Sequence, residues 1–577
     1  MAVTNHDVAT ALREIGTLLE LTGANPFKTR AYETAARHIE GLGEDVAALA
    51  AEGGLEDLPG VGESLAAKIT ELVETGELAY LDDLRKKVPE GLLEMLRIPD
   101  LGPKKVARLW QELGITTVAD LERAARNGEL HELDGFGKKT EANILEGLDL
   151  VRRASARTLL GDALPMAEHI VADLGKVSAV DRIELAGSLR RRRETVKDVD
   201  VLVTSANPDA VMDALAGHDL VERVTERGST KMSVLLTNLM NLDLRVVPKA
   251  SFAAALQYFT GSADHNIALR NLAKKHDLKI SEYGLFDGGK NLHPKTEAAL
   301  YKRLGLAPIE PELREDTGEI EAAARDALPD LVSLDDCKGV IHAHTVASDG
   351  HATLEEMAAA ARDLGYSYLV ICEHSGSASY ANGLTADRLR EHVAAIRALD
   401  EKLTGFRLLA GTEADILADG SLDYPDDLLA ELDVVIASVH SRFKMTGEEM
   451  TDRIITAMRN PYVHVVGHLT GRLLLKRDPY PVDQERVIEA AADLGVILEI
   501  NAHPSRLDLD WQHTKIAVQK GVKVAVCPDA HDTAGLAHMR FGLTVARRGW
   551  CEPADVVNTL TARRLVTLCR TITADKS

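Results

Sequence analysis

Residues 187–203 read Gly-Ser-Leu-Arg-Arg-Arg-Arg-Glu-Thr-Val-Lys-Asp-Val-Asp-Val-Leu-Val, and no other stretch constrains the chain as much. The run ends in an apolar, strand-like segment. A strand has a side-chain period of two, so Asp198 and Asp200 share one face. Two carboxylates held that close repel each other unless a cation sits between them. Ligation by carboxylate oxygens suits Mg²⁺, which completes its octahedron with waters and substrate phosphates. The Gly187-Ser188 turn lies where loop amides and a hydroxyl can hold a phosphate. Together these residues are equipment for moving a nucleotide.

Around this run, residues 151–249 alternate strand and helix patterns, with strands expected at 183–186, 199–204, 234–236 and 242–247. The last holds Asp243 inside an apolar stretch, where a carboxylate is costly to bury unless paired or metal-bound. Asp243 is then either a solvent-facing residue of an edge strand or the third member of a set with Asp198 and Asp200.

The first 150 residues are helical in pattern and repeat one motif three times. It runs Leu58-Pro59-Gly60-Val61-Gly62, Ile98-Pro99-Asp100-Leu101-Gly102 and Leu133-Asp134-Gly135-Phe136-Gly137, each leading into a helix start. Glycine permits the turn and lets a phosphate approach the amides, and the helix N-terminus favours the anion. The motif resembles the helix-hairpin-helix, a sequence-independent clamp on the DNA backbone. Lys104-Lys105 and Lys138-Lys139 follow two of the turns.

A formal charge of −23 over 577 residues argues against general polyanion binding, since phosphate affinity comes from Lys and Arg. Basic clusters nevertheless gather in the first two hundred residues, at the hairpins, at Arg152-Arg153 and at 190–193. The stretch 312–330, read as helical, carries opposing acid. The five cysteines (Cys337, Cys372, Cys527, Cys551, Cys569) form no Cys-x-x-Cys pair, against a disulfide framework or a cysteine zinc site. With no signal-like N-terminus and no apolar run of membrane-spanning length, a cytoplasmic protein is expected.

After an acidic, proline-containing stretch at about 307–335, short apolar strands end in His, Asp or Glu and alternate with Ala-rich helices. That pattern predicts a parallel α/β barrel with its site at the strand C-termini.

The first three hundred residues resemble family X DNA polymerases, the group that includes DNA polymerase beta. The resemblance implies that Asp198, Asp200 and Asp243 bind two Mg²⁺ about 3.5–4 Å apart, between a primer 3′-hydroxyl and a deoxynucleoside triphosphate. It implies that Gly187, Ser188 and Arg191 hold the triphosphate. Tyr258 and Phe259, with the turn at Gly261 and Ser262, would select the sugar, and Asn266 and Arg270 would face the nascent pair and template. Gly60, Gly62, Gly102, Lys104, Lys105, Gly135, Gly137 and Lys138 would contact DNA. Lys28, Tyr32 and Lys68 align with a 5′-deoxyribose-phosphate lyase site, with Lys68 as Schiff-base amine. A solvated helix lysine is the other reading of Lys68. Glu63-Ser64 departs from the family where a basic residue would help hold a 5′-phosphate, and Asp100 stands where a glycine is common.

Residues 336–577 resemble the polymerase-and-histidinol-phosphatase (PHP) domain. The motifs are His342-Ala343-His344-Thr345, Ser348-Asp349-Gly350, Glu373-His374-Ser375, Gly411-Thr412-Glu413, Ser438-Val439-His440-Ser441, Gly467-His468 and Asp529-Ala530-His531. Mixed His and carboxylate ligation suits Mn²⁺ or Zn²⁺. The resemblance implies up to three such ions held by His342, His344, Asp349, His374, Glu413, His440, His468, Asp529 and His531. Glu373 replaces the family's usual Asp. Glu499, Asn501, His503 and Arg506 would add phosphate contacts or support.

The expected architecture is therefore multidomain α and β. A helical lyase-like domain spans 1–80 and a helix-hairpin-helix subdomain 81–150. An α+β nucleotidyltransferase palm covers 151–249 and a helical nucleotide-binding subdomain 250–316. A linker at 317–335 leads to a distorted (β/α) PHP barrel at 336–577. The expected function is gap-filling DNA repair synthesis coupled to a 3′–5′ exonuclease, to which 3′-phosphatase or abasic-site endonuclease activity could be added. The expected partners are gapped or primer-template DNA and nucleotides, with no membrane, for a monomer associated with the nucleoid. The alternatives are a small-molecule phosphatase and a non-catalytic DNA-binding scaffold.

Overall fold

Val8, Leu12, Ile15 and Leu19 recur at helical spacing and are all buried, which makes Asn5–Leu21 an amphipathic helix packed against Tyr32, Ala36 and Ile39 of Pro26–Glu40. The computed structural model describes residues 3, 5–40, 46–58, 60–96, 98, 101–133, 135–155, 157–288 and 290–577. Two compact units result, Met1–Ser155 and Ala156–Ser577, against a sequence-based boundary at 150. The first unit is helical in its described residues. Its turns place Gly62, Gly102 and Gly137 directly before Glu63–Thr75, Pro103–Leu113 and Lys138–Ser155. Pro59, Asp100 and Asp134 lie outside the described residues, as do the side chains of Arg152 and Arg153.

In the second unit, a five-stranded sheet runs in the order Arg182–Leu185, Asp198–Thr204, Asn241–Val246, Lys231–Leu236, Val221–Arg227. Asp198–Thr204 and Asn241–Val246 are parallel neighbours, and the other pairs are antiparallel. Val199, Val201 and Val203 turn to the helices Leu160–Leu174 and Pro208–Ala216. On the opposite face Leu202 packs against Phe252 and Leu256 of Phe252–Thr260, leaving the Asp198 end of that face uncovered by this cluster. Val221–Arg227 was not foreseen, because it is a largely exposed edge strand with no apolar alternation.

The helices Phe252–Thr260 and Ala263–Lys275, a small antiparallel sheet and Glu297–Arg303 follow. Tyr258 and Phe259 close the first of these helices. Arg190 makes two hydrogen bonds to Glu297, at 3.0 and 2.6 Å, and Arg314 adds a third at 2.6 Å. Burial alone would raise the Glu297 carboxyl, but the two guanidiniums hold it down to about 2.

The acidic stretch 312–330 is not one helix. It is a 3₁₀ turn, Pro311–Leu313, and a short helix, Glu319–Ala324, divided by Asp316 and Gly318, both with positive φ (57° and 104°). Nor is it a solvated spacer along its length. Glu319 is buried, accepts hydrogen bonds from the Asp316 and Thr317 amides and lies 2.7 Å from His265 Nδ1.

Seven parallel strands then follow in chain order: Gly339–Ala343, Tyr368–His374, Arg407–Asp415, Val434–Ser438, Val465–Val466, Ile497–Asn501 and Val524–Cys527. A parallel bridge between Ala343 and Ala530 draws the two edges together into a nearly closed barrel. Apolar strands buried on both faces fit a parallel sheet jacketed by helices. Among the described residues no helix is long and apolar enough to cross a membrane.

Glu297→Ala strands the half-buried guanidinium of Arg190 and the buried one of Arg314 and should cost about 3–5 kcal/mol. Glu14→Ala, which removes the more exposed partner pair of Arg85 at 2.7 Å, should cost about 0–1 kcal/mol. Thermal unfolding midpoints of the two variants should differ accordingly.

Candidate functional site

Asp200 and Asp243 are direct partners across the parallel strand pair, with Asp198 opposite Asn241, so the three carboxylates gather on one sheet face. Burial, and then the charges of Asp198 and Asp243, push Asp200 up to about 6. Arg245 and Arg191 offset part of this rise. Ser233 donates to Asp243 Oδ1, and Lys231 Nζ lies 3.8 Å from its other oxygen. The donor set is oxygen-only and mutually repulsive, which fits a divalent cation.

Gly187 is fixed by two constraints. Its φ is 63°, and a Cβ there would lie 2.1 Å from Asp200 Oδ2. The turn it opens, Gly187–Arg190, therefore rests on the carboxylate. Gly261 is similarly placed: φ is 72° and a Cβ would stand 2.9 Å from Arg191 Nη1. Arg191 donates to the Thr260 carbonyl and to Glu315 Oε1 at 3.1 Å, so its guanidinium is already engaged. Ser262 caps Ala263–Lys275 through the His265 amide. Asn266 accepts from Gln257 Nε2 at 2.8 Å and donates to the Tyr258 carbonyl at 2.7 Å, while Arg270 Nε donates to the Asn266 carbonyl at 3.1 Å. The Tyr258 and Phe259 rings meet edge to face at 5.2 Å.

In the helical unit, Gly60 and Gly135 take φ of 84° and 81°. A Cβ on Gly62, Gly102 or Gly137 would meet nothing within 4 Å, so the backbone there borders open space. Lys104 and Lys138 are exposed beside these turns, and Lys105 is half-buried. Lys28 and Lys68 converge on Tyr80, with Lys28 Nζ 2.9 Å from its hydroxyl and Lys68 Nζ 4.9 Å from its ring centroid. Tyr32 stacks on Tyr80 at 6.5 Å, and burial with the neighbouring phenol pushes it up to about 12. Lys68 spends its amine on Ser64, at 2.9 Å to the carbonyl and 2.8 Å to the hydroxyl.

The barrel carries the denser cluster. Glu413 Oε2 lies 3.4, 3.8 and 2.8 Å from nitrogens of His342, His344 and His374. Its Oε1 lies 3.2 and 3.0 Å from His440 and His468. Neither oxygen, nor His342 Nε2, nor either nitrogen of His344, accepts or donates a hydrogen bond within the described residues. Unsatisfied buried polar atoms facing one another at such spacings fit ligation of cations. His344 with Asp349, His374 and His531, and His342 with His344 and Asp529, form two further groups of ligand atoms within 4.8 Å of one another. His342 Nδ1 meets Glu499 Oε2 at 2.6 Å, which turns Nε2 toward the cluster. Burial, then the charges of His531 and His374, lower His344 to about 4, keeping its imidazole neutral and ligand-competent.

Glu373 does not join this set. Its carboxylate accepts from the Thr345 amide at 3.1 Å and from the hydroxyls of Thr345 and Ser348, with His392 Nε2 standing 3.1 Å from Oε1. It tethers the loop that carries Asp349. Asn501 bridges Glu499 at 2.8 Å and Asp529 at 3.1 Å, Arg506 stands 3.8 Å from Asp529, and His503 pairs instead with Ser505. A separate cluster, His169, Asp173 and His218, is not a ready metal site. The Leu220 amide donates to His218 Nδ1 at 3.1 Å, which leaves the proton on Nε2, the atom nearest Asp173.

Over 96% of its length this chain is 39% identical to the DNA polymerase/3′-5′ exonuclease PolX of Bacillus subtilis (strain 168), covering 97% of that protein. It belongs to the PolX family. Residues 255–315 match the DNA polymerase beta thumb, residues 3–78 a helix-hairpin-helix domain, and residues 92–149 a SAM-like helix-hairpin-helix tandem. Across 45% of this chain it is 29% identical to rat (Rattus norvegicus) DNA polymerase lambda, covering 48% of that protein. Over 38% of this chain it is 31% identical to a "Probable phosphatase" of Thermoanaerobacter sp. (strain X514), covering 89% of that protein.

Two neighbours of the PolX sites escaped sequence reading. Asp415, 3.3 Å from His440 Nδ1, stands two residues past Glu413 on the same strand, and the period-two rule used for Asp198 and Asp200 would have found it. Glu315, held to Arg191, carries no motif signal.

Gly187→Ala should lower nucleotide incorporation by ~10²-fold or more while 3′ degradation persists, because the Cβ displaces Asp200. Glu413→Gln should strip divalent metal from the purified chain, whereas Glu373→Gln should retain it. Elemental analysis of the two variants separates ligand from tether.

Proposed function

We propose that this chain fills short gaps in DNA by nucleotidyl transfer at Asp198, Asp200 and Asp243, and trims 3′ ends in its barrel. The observation that carries the reading is the pair of separate donor sets in one chain, an all-carboxylate one gathered on one sheet face and a histidine-rich one whose buried atoms lack hydrogen bonds among the described residues. In the first, two Mg²⁺ held by the three aspartates would ease deprotonation of the primer hydroxyl and offset charge on the departing pyrophosphate. Gly187, Ser188 and Arg191 hold the triphosphate, and Tyr258 and Phe259 border its sugar. Asn266 and Arg270 face the nascent pair. Asp243, with one oxygen fixed by Ser233, receives or relays the primer proton.

In the barrel, up to three Mn²⁺ or Zn²⁺ held by His342, His344, Asp349, His374, Glu413, His440, His468, Asp529 and His531 would supply a nucleophilic water and polarise the phosphodiester. Glu499 and Asp415 orient His342 and His440. The hairpin glycines and Lys104, Lys105 and Lys138 grip gapped or primer-template DNA without reading sequence. Lys28, Tyr32 and Lys68 form the 5′-deoxyribose-phosphate lyase part of the same repair reaction. Each centre is assembled from one chain, as a monomer requires, and a genomic substrate places the protein in the cytoplasm with the nucleoid.

On a one-nucleotide gap, Asp200→Ala should lose synthesis by ~10³-fold and keep 3′ degradation. His344→Ala with His374→Ala should do the reverse. Degradation that survives the paired histidine changes would remove the barrel from the exonuclease role. The likeness to phosphatases over the barrel favours one rival, hydrolysis of a small phosphate ester. Faster turnover of a phosphorylated amino alcohol than of a DNA 3′ end would select it.

A further inference from the structure

Four consecutive arginines, 190–193, follow the Gly187-Ser188 turn, and the barrel helix Met539–Arg548 lies against them. Arg548, at the end of that helix, is fully buried yet charged. Its Nη1 donates to the Arg191 backbone carbonyl at 2.7 Å and to Glu315 Oε1 at 3.1 Å. That oxygen is the one Arg191 Nε also uses, at 3.1 Å. Arg548 Nε and Nη2 find no acceptor among the described residues, while its guanidinium lies 4.8 Å from the Trp511 ring centroid. Arg193 stands further off, 3.6 Å from the other Glu315 oxygen. Arg191 is thus committed to a buried carboxylate at the position where it would meet a triphosphate.

A buried carboxylate that loses its partner is costly, so Arg191 can leave Glu315 only if another cation stays behind. We infer that Arg548 of the barrel is a positioning residue for the polymerase site: by sharing Glu315, it releases Arg191 to the incoming triphosphate. This rests on the reading of Arg191 as a triphosphate ligand. It makes the barrel part of the nucleotide site through a side chain that is not one of the barrel's candidate metal ligands.

The test is single-nucleotide gap filling by the full chain with nucleotide concentration varied, alongside 3′ degradation on the same preparations. Arg548→Gln should raise the nucleotide KM about tenfold with kcat changed far less, and leave degradation intact. Glu315→Gln should lower KM alone and restore KM when added to Arg548→Gln, since a neutral amide no longer holds Arg191. An unchanged KM in Arg548→Gln, in an enzyme whose KM rises on Arg191→Ala, overturns the inference. So does a raised KM that Glu315→Gln fails to restore, which is the outcome for a merely structural arginine. If Arg548→Gln does not fold, a raised KM in Glu315→Gln alone overturns it. If Arg191→Ala leaves KM unchanged, the triphosphate reading of Arg191 falls first and the inference with it.

Discussion

Glu413 is the constraint on which the barrel depends. It is a fully buried carboxylate with imidazoles of five histidines around its two oxygens and no hydrogen bond to either. Burial would drive its carboxyl upward, yet His440, His342 and His374 hold it well below the ordinary range. A buried charge survives in a fold only when it is compensated. Against their own burial, the neighbouring carboxylates raise His342 and His440, so protons supply that compensation until cations displace them and leave the imidazoles as neutral donors. The sheet face of Asp198, Asp200 and Asp243 obeys the same rule with oxygen donors alone, and there burial, followed by the charges of Asp198 and Asp243, raises the Asp200 carboxyl to about 6.

Both centres use strand ends to concentrate these costs, but the surrounding scaffold differs. Parallel barrel strands deliver His342 and His344, His374, Glu413, His440, His468, and Asp529 with His531 from successive strands to one rim. The mixed sheet instead sets Asp200 beside Asp243 through one parallel pair. The sheet and the barrel belong to a single compact unit. Their shared boundary is charged, with Arg540 3.3 Å from Glu168 and Arg547 2.8 Å from Glu312. A boundary of that kind gives residues 187–193 partners in the barrel.

Short-range chemistry was legible in the sequence. The two-residue period placed Asp198 and Asp200 together, the glycine turns marked helix starts, and histidines at apolar strand ends foretold a barrel rim. What escaped was set by tertiary contact. Glu373 stands where the family usually has Asp, and Thr345, Ser348 and His392 surround its carboxylate. Arg191 meets Glu315 and Arg548, 124 and 357 residues away. No local pattern encodes such partners. The edge strand Val221–Arg227 lacks a buried face, and so lacked the alternation that would reveal it. The acidic helix across 312–330 failed because Asp316 and Gly318 adopt left-handed backbone within it.

Anomalous scattering at the manganese edge, from crystals grown with Mn²⁺, tests the central claim most directly. The account predicts peaks about 2.0–2.3 Å from both oxygens of Glu413, and from Asp198, Asp200 and Asp243. A barrel rim without an anomalous peak, its imidazoles and Glu413 paired only with each other or with water, would contradict it.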